Sequence, residues 1–449
     1  MSDVLHLKPE DLDSTEKRGK YFVSVIGCEE RGILYALAFA EAGFKVVCTD
    51  ADQTLVKRLA KGKTMFHDRE LESTLKSFLR RGKLSVTNDL KDAVSQSDVV
   101  VVTLTAKIDG NQHADYLDVE NGCKQVGTSL RRGVLFVYGG IAGLGFTEGV
   151  IKETLENTSG LQVGEDFGLV YSPILFSGSN QPLSLIANQE LKVAAMDKTS
   201  LDSAVNVLGV VTRKGVKQVL DVKAAEAALL FTIAKQDANL ALANELAVFC
   251  ESVGVDYFET LKLVDARESC FSPTIETEED DRNEAYLLLE SAENLNIKLR
   301  LPALARRINE DMIRHAINLT QDALRGCGKT LRRARVAVLA AAKPTTLMFV
   351  KMLEKKGAKT GLYDPLLPKN ELAKMSRVFR RSLKEVAEGT DCIVLLTEEY
   401  RFKRLNFKKM RAVMKMPAAI VDLTGVIEVQ KVEREGFTYR GLGRGVEKK

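Results

Sequence analysis

The chain has 449 residues, 45% of them apolar, which is too much for one compact core and enough for two or three. A net charge of +4 with 28% charged residues describes a mixed-charge surface, without a polyanion-binding bias. Trp is absent and no basic motif with interleaved aromatics occurs, so no nucleic-acid partner is expected. Residues 1–20 are polar and lack the apolar centre of a signal peptide. No run approaches the length of a membrane span, so a cytoplasmic protein without a membrane partner is expected. The cysteines at 28, 48, 123, 250, 270, 327 and 392 are dispersed without a CxxC and read as reduced thiols. The histidines at 6, 67, 113 and 315 are too scattered to suggest a metal site.

In chain order, a polar tail over 1–20 precedes the near-continuous apolar run Tyr21 to Ile26, typical of a strand buried on both faces of a parallel sheet. Helical spacing follows from Arg31 to Ala42 and stops at Gly43. Further strands are predicted at Lys45 to Asp50, Asp98 to Val102, Val134 to Tyr138 and Gly168 to Tyr171. This alternation predicts a doubly wound α/β domain over 21–205. A central helical domain is expected over 206–325. It is dominated by one long helix from Asp221 to Val253, which lacks Pro and Gly, with further helices at Asn283 to Leu295 and Pro302 to about Leu324. An all-round apolar helix must be buried against something; the two readings are a linker packed on either domain and a dimerisation spine. After a basic stretch (Lys329, Arg332, Arg333, Arg335), strands resume at Val336 to Leu339, Thr360 to Asp364, Cys392 to Leu396 and Ala419 to Asp422. The expected fold class is α/β: two Rossmann-like doubly wound domains, the second over 326–449, joined by a central helical domain.

The first strand–turn–helix should carry G-x-G-x-x-G. It reads Gly27-Cys28-Glu29-Glu30-Arg31-Gly32, with Glu29 in place of the second glycine. That glycine lets the backbone approach a pyrophosphate. At ~4 Å and an effective dielectric near 20, a like-charge pair costs about 4 kcal/mol, close to a thousandfold in affinity. Arg31 could offset part of this, and Glu29 could turn away. Asp50 is the acid expected to hold an adenosine ribose, or simply a strand-end carboxylate capping a turn. Gly27, Gly32 and Asp50 together point to descent from a dinucleotide binder more than to present binding.

Several stretches resemble the UDP-glucose/GDP-mannose dehydrogenase family, and the resemblance looks closest to the branch acting on UDP-N-acetylhexosamines such as UDP-N-acetylmannosamine. They are Val23 to Gly27, Ala40 to Val47, Gly164 to Pro173, Ala241 to Ala247, Tyr363-Asp364-Pro365 and Gly436 to Arg444, collinear and at family spacing. The resemblance implies NAD as cofactor and oxidation of a sugar C6 alcohol to a carboxylate. A cysteine would capture the aldehyde, with a lysine and an asparagine supporting the oxyanion and water.

Most of those groups are not matched. The family's lysine and asparagine on the long helix align with Leu229 and Ile233, while Lys235 lies on another face. Ser-Pro-Glu-Arg becomes Ser172-Pro173-Ile174-Leu175; Val-Pro-Thr becomes Leu104-Thr105-Ala106; Ser-Thr-x-Pro-Pro-Gly becomes Gly140 to Gly145. The cysteine motif is absent. Cys270 is the one candidate nucleophile, though the aligned position falls near Glu279 to Asp281, and its other reading is a half-buried loop thiol. The acidic run Glu276, Glu278, Glu279, Asp280 and Asp281 reads as a solvated loop that would repel a nucleotide diphosphate. In the second domain the family's Phe-Lys-x-x-x-x-Asp-x-Arg segment is cut to Lys343-Pro344-Thr345-Thr346, and its Asp-x-Arg becomes Asp422-Leu423-Thr424, losing an arginine fork for diphosphate.

Three readings follow. The first is a catalytically degenerate family member with a structural or regulatory role, pairing through the central helices as a homo-oligomer or with an active paralogue. The second is an active NAD-dependent UDP-sugar 6-dehydrogenase with altered residues. The third is a binding module whose eroded pocket, with room left by Gly139, Gly140, Gly143 and Gly145, holds another ligand.

Overall fold

A computed structural model describes residues 4–64, 69–174, 186–219, 221–264, 272–275, 283–365, 378–397 and 402–445. The chain divides into two compact units, Met1–Thr232 with Tyr286–Ile297, and Ile233–Ala285 with Lys298–Lys449.

The apolar runs of the first unit form strands β1 (Phe22–Ile26), β2 (Lys45–Thr49), β3 (Leu84–Thr87), β4 (Val99–Val102), β5 (Leu135–Tyr138), β6 (Gly168–Tyr171), β7 (Leu191–Ala195) and β8 (Val216–Val219). The sheet order is β8-β7-β6-β5-β4-β1-β2-β3. The pairs from β3 to β6 are all parallel, which is the doubly wound Rossmann order with its switch point between β1 and β4. β7 joins antiparallel to β6, and β8 lies parallel to β7. The sheet therefore runs past residue 205, the boundary expected from sequence. The interior strands β4, β5 and β6 are buried at every residue, as strands covered on both faces must be. Helix α1 (Glu30–Ala42) ends at Gly43, whose φ of 106° supplies the left-handed cap.

Residues 4–20 are not the expected polar tail. Val4 and Leu12 have no exposed surface. The Val4 amide donates to the Gly133 carbonyl (3.0 Å), and the Ser203 hydroxyl donates to the Val4 carbonyl (2.5 Å). A few apolar residues in a polar stretch, Val4, Leu5 and Leu12, anchor it.

The second unit carries β9 (Arg335–Leu339), β10 (Lys359–Tyr363), β11 (Cys392–Leu395), β12 (Ala419–Asp422) and β13 (Thr438–Gly441). They form an all-parallel sheet in the order β10-β9-β11-β12-β13, again doubly wound. Helices used below are α2 (Val222–Val253), α3 (Ala285–Asn294), α4 (Arg300–Gly326) and α5 (Pro344–Lys355). α2 is the single long helix predicted from its lack of Pro and Gly; its residues up to 232 count with the first unit and the rest with the second. Ile313, Ala316, Ile317, Ala323 and Leu324 of α4 share a core with Val336, Val338 and Val421 of the second sheet.

Within the second unit, α2 and α4 also bury a polar cluster. Arg306 is 1% exposed, with its guanidinium 3.1 Å from the Asp237 carboxylate. The Asn309 amide donates to Asp237 Oδ1 (2.9 Å), and the Asn244 amide donates to Asn309 Oδ1 (2.9 Å). Breaking such a buried pair from one side costs about 3–5 kcal/mol, so the cluster fixes the register of the two helices. No described helix is long and apolar enough to cross a membrane.

Candidate functional site

β1 delivers the chain to Gly27 at the switch point of the first sheet. Gly27 has φ +82°, a conformation that side-chain-bearing residues rarely adopt. A Cβ on Gly32 would lie 1.9 Å from the Gly27 carbonyl oxygen and 2.8 Å from Thr103 Oγ1, so only glycine lets α1 pack this closely on β1. The Thr103 hydroxyl donates to that same carbonyl (2.5 Å). Asp50 Oδ2 accepts the Cys28 amide (2.8 Å), and its Oδ1 accepts the Asp52 amide (2.9 Å). The structure thus brings Gly27, Gly32 and Asp50 together as the fingerprint requires. It also gives Asp50 the turn-capping role that was its alternative reading.

Glu29 stands at the N-cap position of α1, is exposed, and does not cap the helix with its side chain. Its charge acts on Lys107, whose ammonium is held charged chiefly by Asp118 (Nζ to Oδ2, 2.5 Å) and to a lesser degree by Glu29. Solvent screens the exposed Glu29, so it opposes a bound diphosphate less than a buried carboxylate would. Arg31 Nη1 donates to the Thr105 hydroxyl (3.3 Å).

The glycine-rich loop after β5 does not offer the room expected of it. A Cβ would lie 2.8 Å from the Tyr35 ring at Gly139, 2.0 Å from the Leu104 carbonyl oxygen at Gly140, 2.5 Å from the Tyr116 hydroxyl at Gly143 and 3.3 Å from Lys223 at Gly145. Neighbours crowd the backbone at Gly139 and Gly140, while Gly145 adopts φ +81°. The loop is then clasped by two helices of the same unit. Glu226 of α2, 2% exposed, accepts the Gly145 amide (2.5 Å) and the Thr147 amide (2.9 Å). Burial pushes its carboxyl above the usual range, and the hydrogen bonds from Thr147 and Gly145 oppose that. From α3, Ser291 Oγ accepts the Leu144 amide (3.2 Å), and Glu290 accepts the Ala114 amide (3.1 Å) and the Tyr116 hydroxyl (3.3 Å). Tyr116 stacks on Phe146 at 4.5 Å between ring centres; burial first, then Glu290, pushes its hydroxyl above the usual phenol range. Sequence reasoning missed Glu226. The available signal was one acid among the alanines and leucines at the start of α2.

Leu229 and Ile233 are buried, at 3% and 7% exposure, and Lys235 is exposed. Ser172 and Ile174 are buried, and the Ser172 carbonyl accepts the Tyr35 hydroxyl. Cys270, Leu175 and the acidic residues Glu276, Glu278, Glu279, Asp280 and Asp281 lie outside the described residues. The six described cysteines are free and buried, and among the described residues no His, Cys, Asp and Glu group could hold a metal.

In the second unit the corresponding turn, between β9 and α5, runs Ala340 to Lys343. Its Ala342 amide donates to Asp364 Oδ2 (2.8 Å), and its Ala341 amide to Thr397 Oγ1 (2.9 Å). Asp422 is consumed by its own loop, accepting the amides of Thr424, Gly425 and Ile427. A guanidinium does reach this loop. Arg444 donates to the Gly425 carbonyl (3.0 Å), but it also pairs with Asp256 and lies over the Phe258 ring.

Residues 21–189 match the UDP-glucose/GDP-mannose dehydrogenase family, NAD binding domain, and residues 343–429 match the UDP binding domain of the same family. Over 438 residues the chain is 28% identical to UDP-N-acetyl-D-mannosamine dehydrogenase of Pyrococcus horikoshii, covering 94% of this chain and 99% of that protein. It is 25% identical to UDP-glucose 6-dehydrogenase of Rhizobium meliloti, with 94% and 99% covered. The solved structure of the UDP-D-ManNAc dehydrogenase from Pyrococcus horikoshii superposes with a TM-score of 0.82 at 26% identity, over 94% of this chain and 99% of that one. A UDP-glucose dehydrogenase from Pyrobaculum islandicum shares the fold, with a TM-score of 0.80 at 20% identity, 95% and 98% covered. Both halves of the chain match the same two-domain family, in order and across its length, and the chain belongs to the UDP-glucose/GDP-mannose dehydrogenase family.

Proposed function

We propose that this chain is a catalytically degenerate nucleotide-sugar dehydrogenase whose role is structural or regulatory. The observation that carries the reading is the pair Leu229 and Ile233, buried and apolar where the resemblance calls for a lysine and an asparagine. Neither side chain can donate to an oxyanion or orient water. The role then lies on the surface. Leu242, Leu246, Phe249 and Val253 are exposed on α2 at spacings of four, three and four, hence on one face. We assign this face to pairing with a second copy of the chain, a cytoplasmic homo-oligomer being the expected form. Light scattering should give a dimer or larger species that Phe249→Glu reduces to monomer. A monomeric unmodified chain contradicts the pairing, and an assembly formed only with an active relative would move it to a hetero-oligomer.

The second reading, an active NAD-dependent UDP-sugar 6-dehydrogenase, has its own support. Gly27 and Gly32 keep the geometry of the dinucleotide turn, and Glu29 is exposed to solvent. Calorimetric titration of NAD and NADH, with and without Glu29→Gly, separates the readings. Binding only after Glu29→Gly marks a scaffold disabled at the pyrophosphate, and no binding in either form marks a scaffold used through its surface. Tight binding by the unmodified chain favours the second reading.

A further inference from the structure

The overall charge of +4 conceals a division along the chain. Residues 326–449 hold 28 of the 65 Lys and Arg but only 13 of the 61 Asp and Glu. In the second unit, part of this excess lines a cavity of about 280 Å³ formed by Gln321, Arg325, Thr330, Leu331, Arg332 and Lys356. It opens beside the start of β9, at the amino edge of the second sheet, away from the carboxyl edge where doubly wound sheets hold nucleotides. Three cations and two neutral hydrogen-bonding side chains face it, and no carboxylate does. The neighbouring Lys329 shows the usual resolution for a cation here, being paired with Asp391 at 2.7 Å. Among the described residues Arg325, Arg332 and Lys356 have no such partner. The turn carrying Arg332 is held in place: Arg333 has φ +71°, and its amide donates to the Gly357 carbonyl at 2.7 Å. Arg325 and Lys356 stand at the carboxyl ends of α4 and α5, where cations complement the helix dipole. That explanation does not extend to Arg332, which belongs to no helix.

We propose that this cavity is a binding site for a compact diphosphate anion, distinct from the dinucleotide turn of the first unit. Three cations that converge without an acid leave a local positive charge that a multivalent oxyanion neutralises, and guanidinium groups pair with phosphate oxygens bidentately. The diphosphate could be free or part of a nucleotide, and the two sources share this chemistry. The test is calorimetric titration of the full chain with inorganic pyrophosphate, repeated for Arg332→Ala, Lys356→Ala and the distant control Lys431→Ala. The site requires one-to-one binding, about tenfold weaker in each of the first two variants and unchanged in the control. It also requires weakening as salt is raised. Circular dichroism checks that the variants, which alter exposed side chains, keep their fold. Competition by ADP or UDP with the same loss in the variants identifies a nucleotide as the source, and absence of competition identifies the free anion; either keeps the site. No heat with pyrophosphate overturns the proposal. So does binding that survives both Arg332→Ala and Lys356→Ala, since it places the anion elsewhere.

Discussion

The two parallel sheets are fastened by the same devices. At the carboxyl edge, Asp50 after β2 accepts the Cys28 amide, and Asp364 after β10 accepts the Ala342 amide, each at 2.8 Å. At the amino edge, Asp98 before β4 accepts the Phe22 amide and Asp391 before β11 accepts the Arg335 amide, each at 2.9 Å. The difference lies in what the carboxyl-edge fastener holds. In the first unit it closes a turn with Gly27 at φ +82° and Gly32 pressed on the Gly27 carbonyl; in the second it closes a turn of three alanines without glycine. A strand-end aspartate is therefore a general part of this architecture and by itself says little about a ribose. The glycine spacing is what sets the first turn apart, since Gly27 and Gly32 are the outer glycines of the dinucleotide fingerprint.

This comparison can be broken in order of effect. Gly32→Ala drives a Cβ into backbone 1.9 Å away and should destabilise by about 3 kcal/mol or more. The converse change in the other turn, Ala342→Gly, should cost no more than about 1 kcal/mol. Denaturant unfolding of the two variants checks this, and equal losses would mean that the glycine turn is not special. Next, Asp364 is 4% exposed, so Asp364→Ala removes a buried acceptor from the half-buried Ala342 amide and should cost about 2 kcal/mol. Asp50 is only half buried, and with water able to replace it Asp50→Ala should cost about 1 kcal/mol. A similarly small effect is expected at the amino edge. Burial acts to raise the Asp391 carboxyl, but the Arg335 amide and Lys329 outweigh it and hold it below 3.8. Its contribution is therefore present above that pH and lost as pH falls through the lower, folded-state value. Asp391→Asn should cost about 1 kcal/mol at neutral pH, and the gap should close in thermal melts taken below pH ~3.8.

Most of the interior strands were legible because strands buried on both faces read as apolar runs, and α2 was legible because nothing interrupts it. Of the missed strands, β3, β8 and β13 lie at sheet edges, and β7, an interior strand, is broken up by the exposed Lys192. β8 reads Val216-Lys217-Gln218-Val219 with both central side chains exposed, so no apolar run marks it. β13 lies in a stretch quoted only for its family likeness, with alternate residues half buried. Of the site, Gly27, Gly32 and Asp50 were legible because their spacing is dictated by backbone geometry. The clasp of Glu226 and Ser291 on the loop after β5 was not, since Glu226 lies 81 residues from Gly145 and Ser291 lies 147 residues from Leu144. The glycines of that loop were misjudged for a related reason: absence of a side chain signals either space or crowding, and only the neighbours decide which.

The most direct test of the central claim is NADH formation by the purified chain offered NAD with UDP-N-acetylmannosamine or UDP-glucose. With Leu229 and Ile233 in place, no turnover above the protein-free background is predicted. Sustained NADH formation that Cys270→Ala abolishes would contradict it, and would return this chain to the working members of its family.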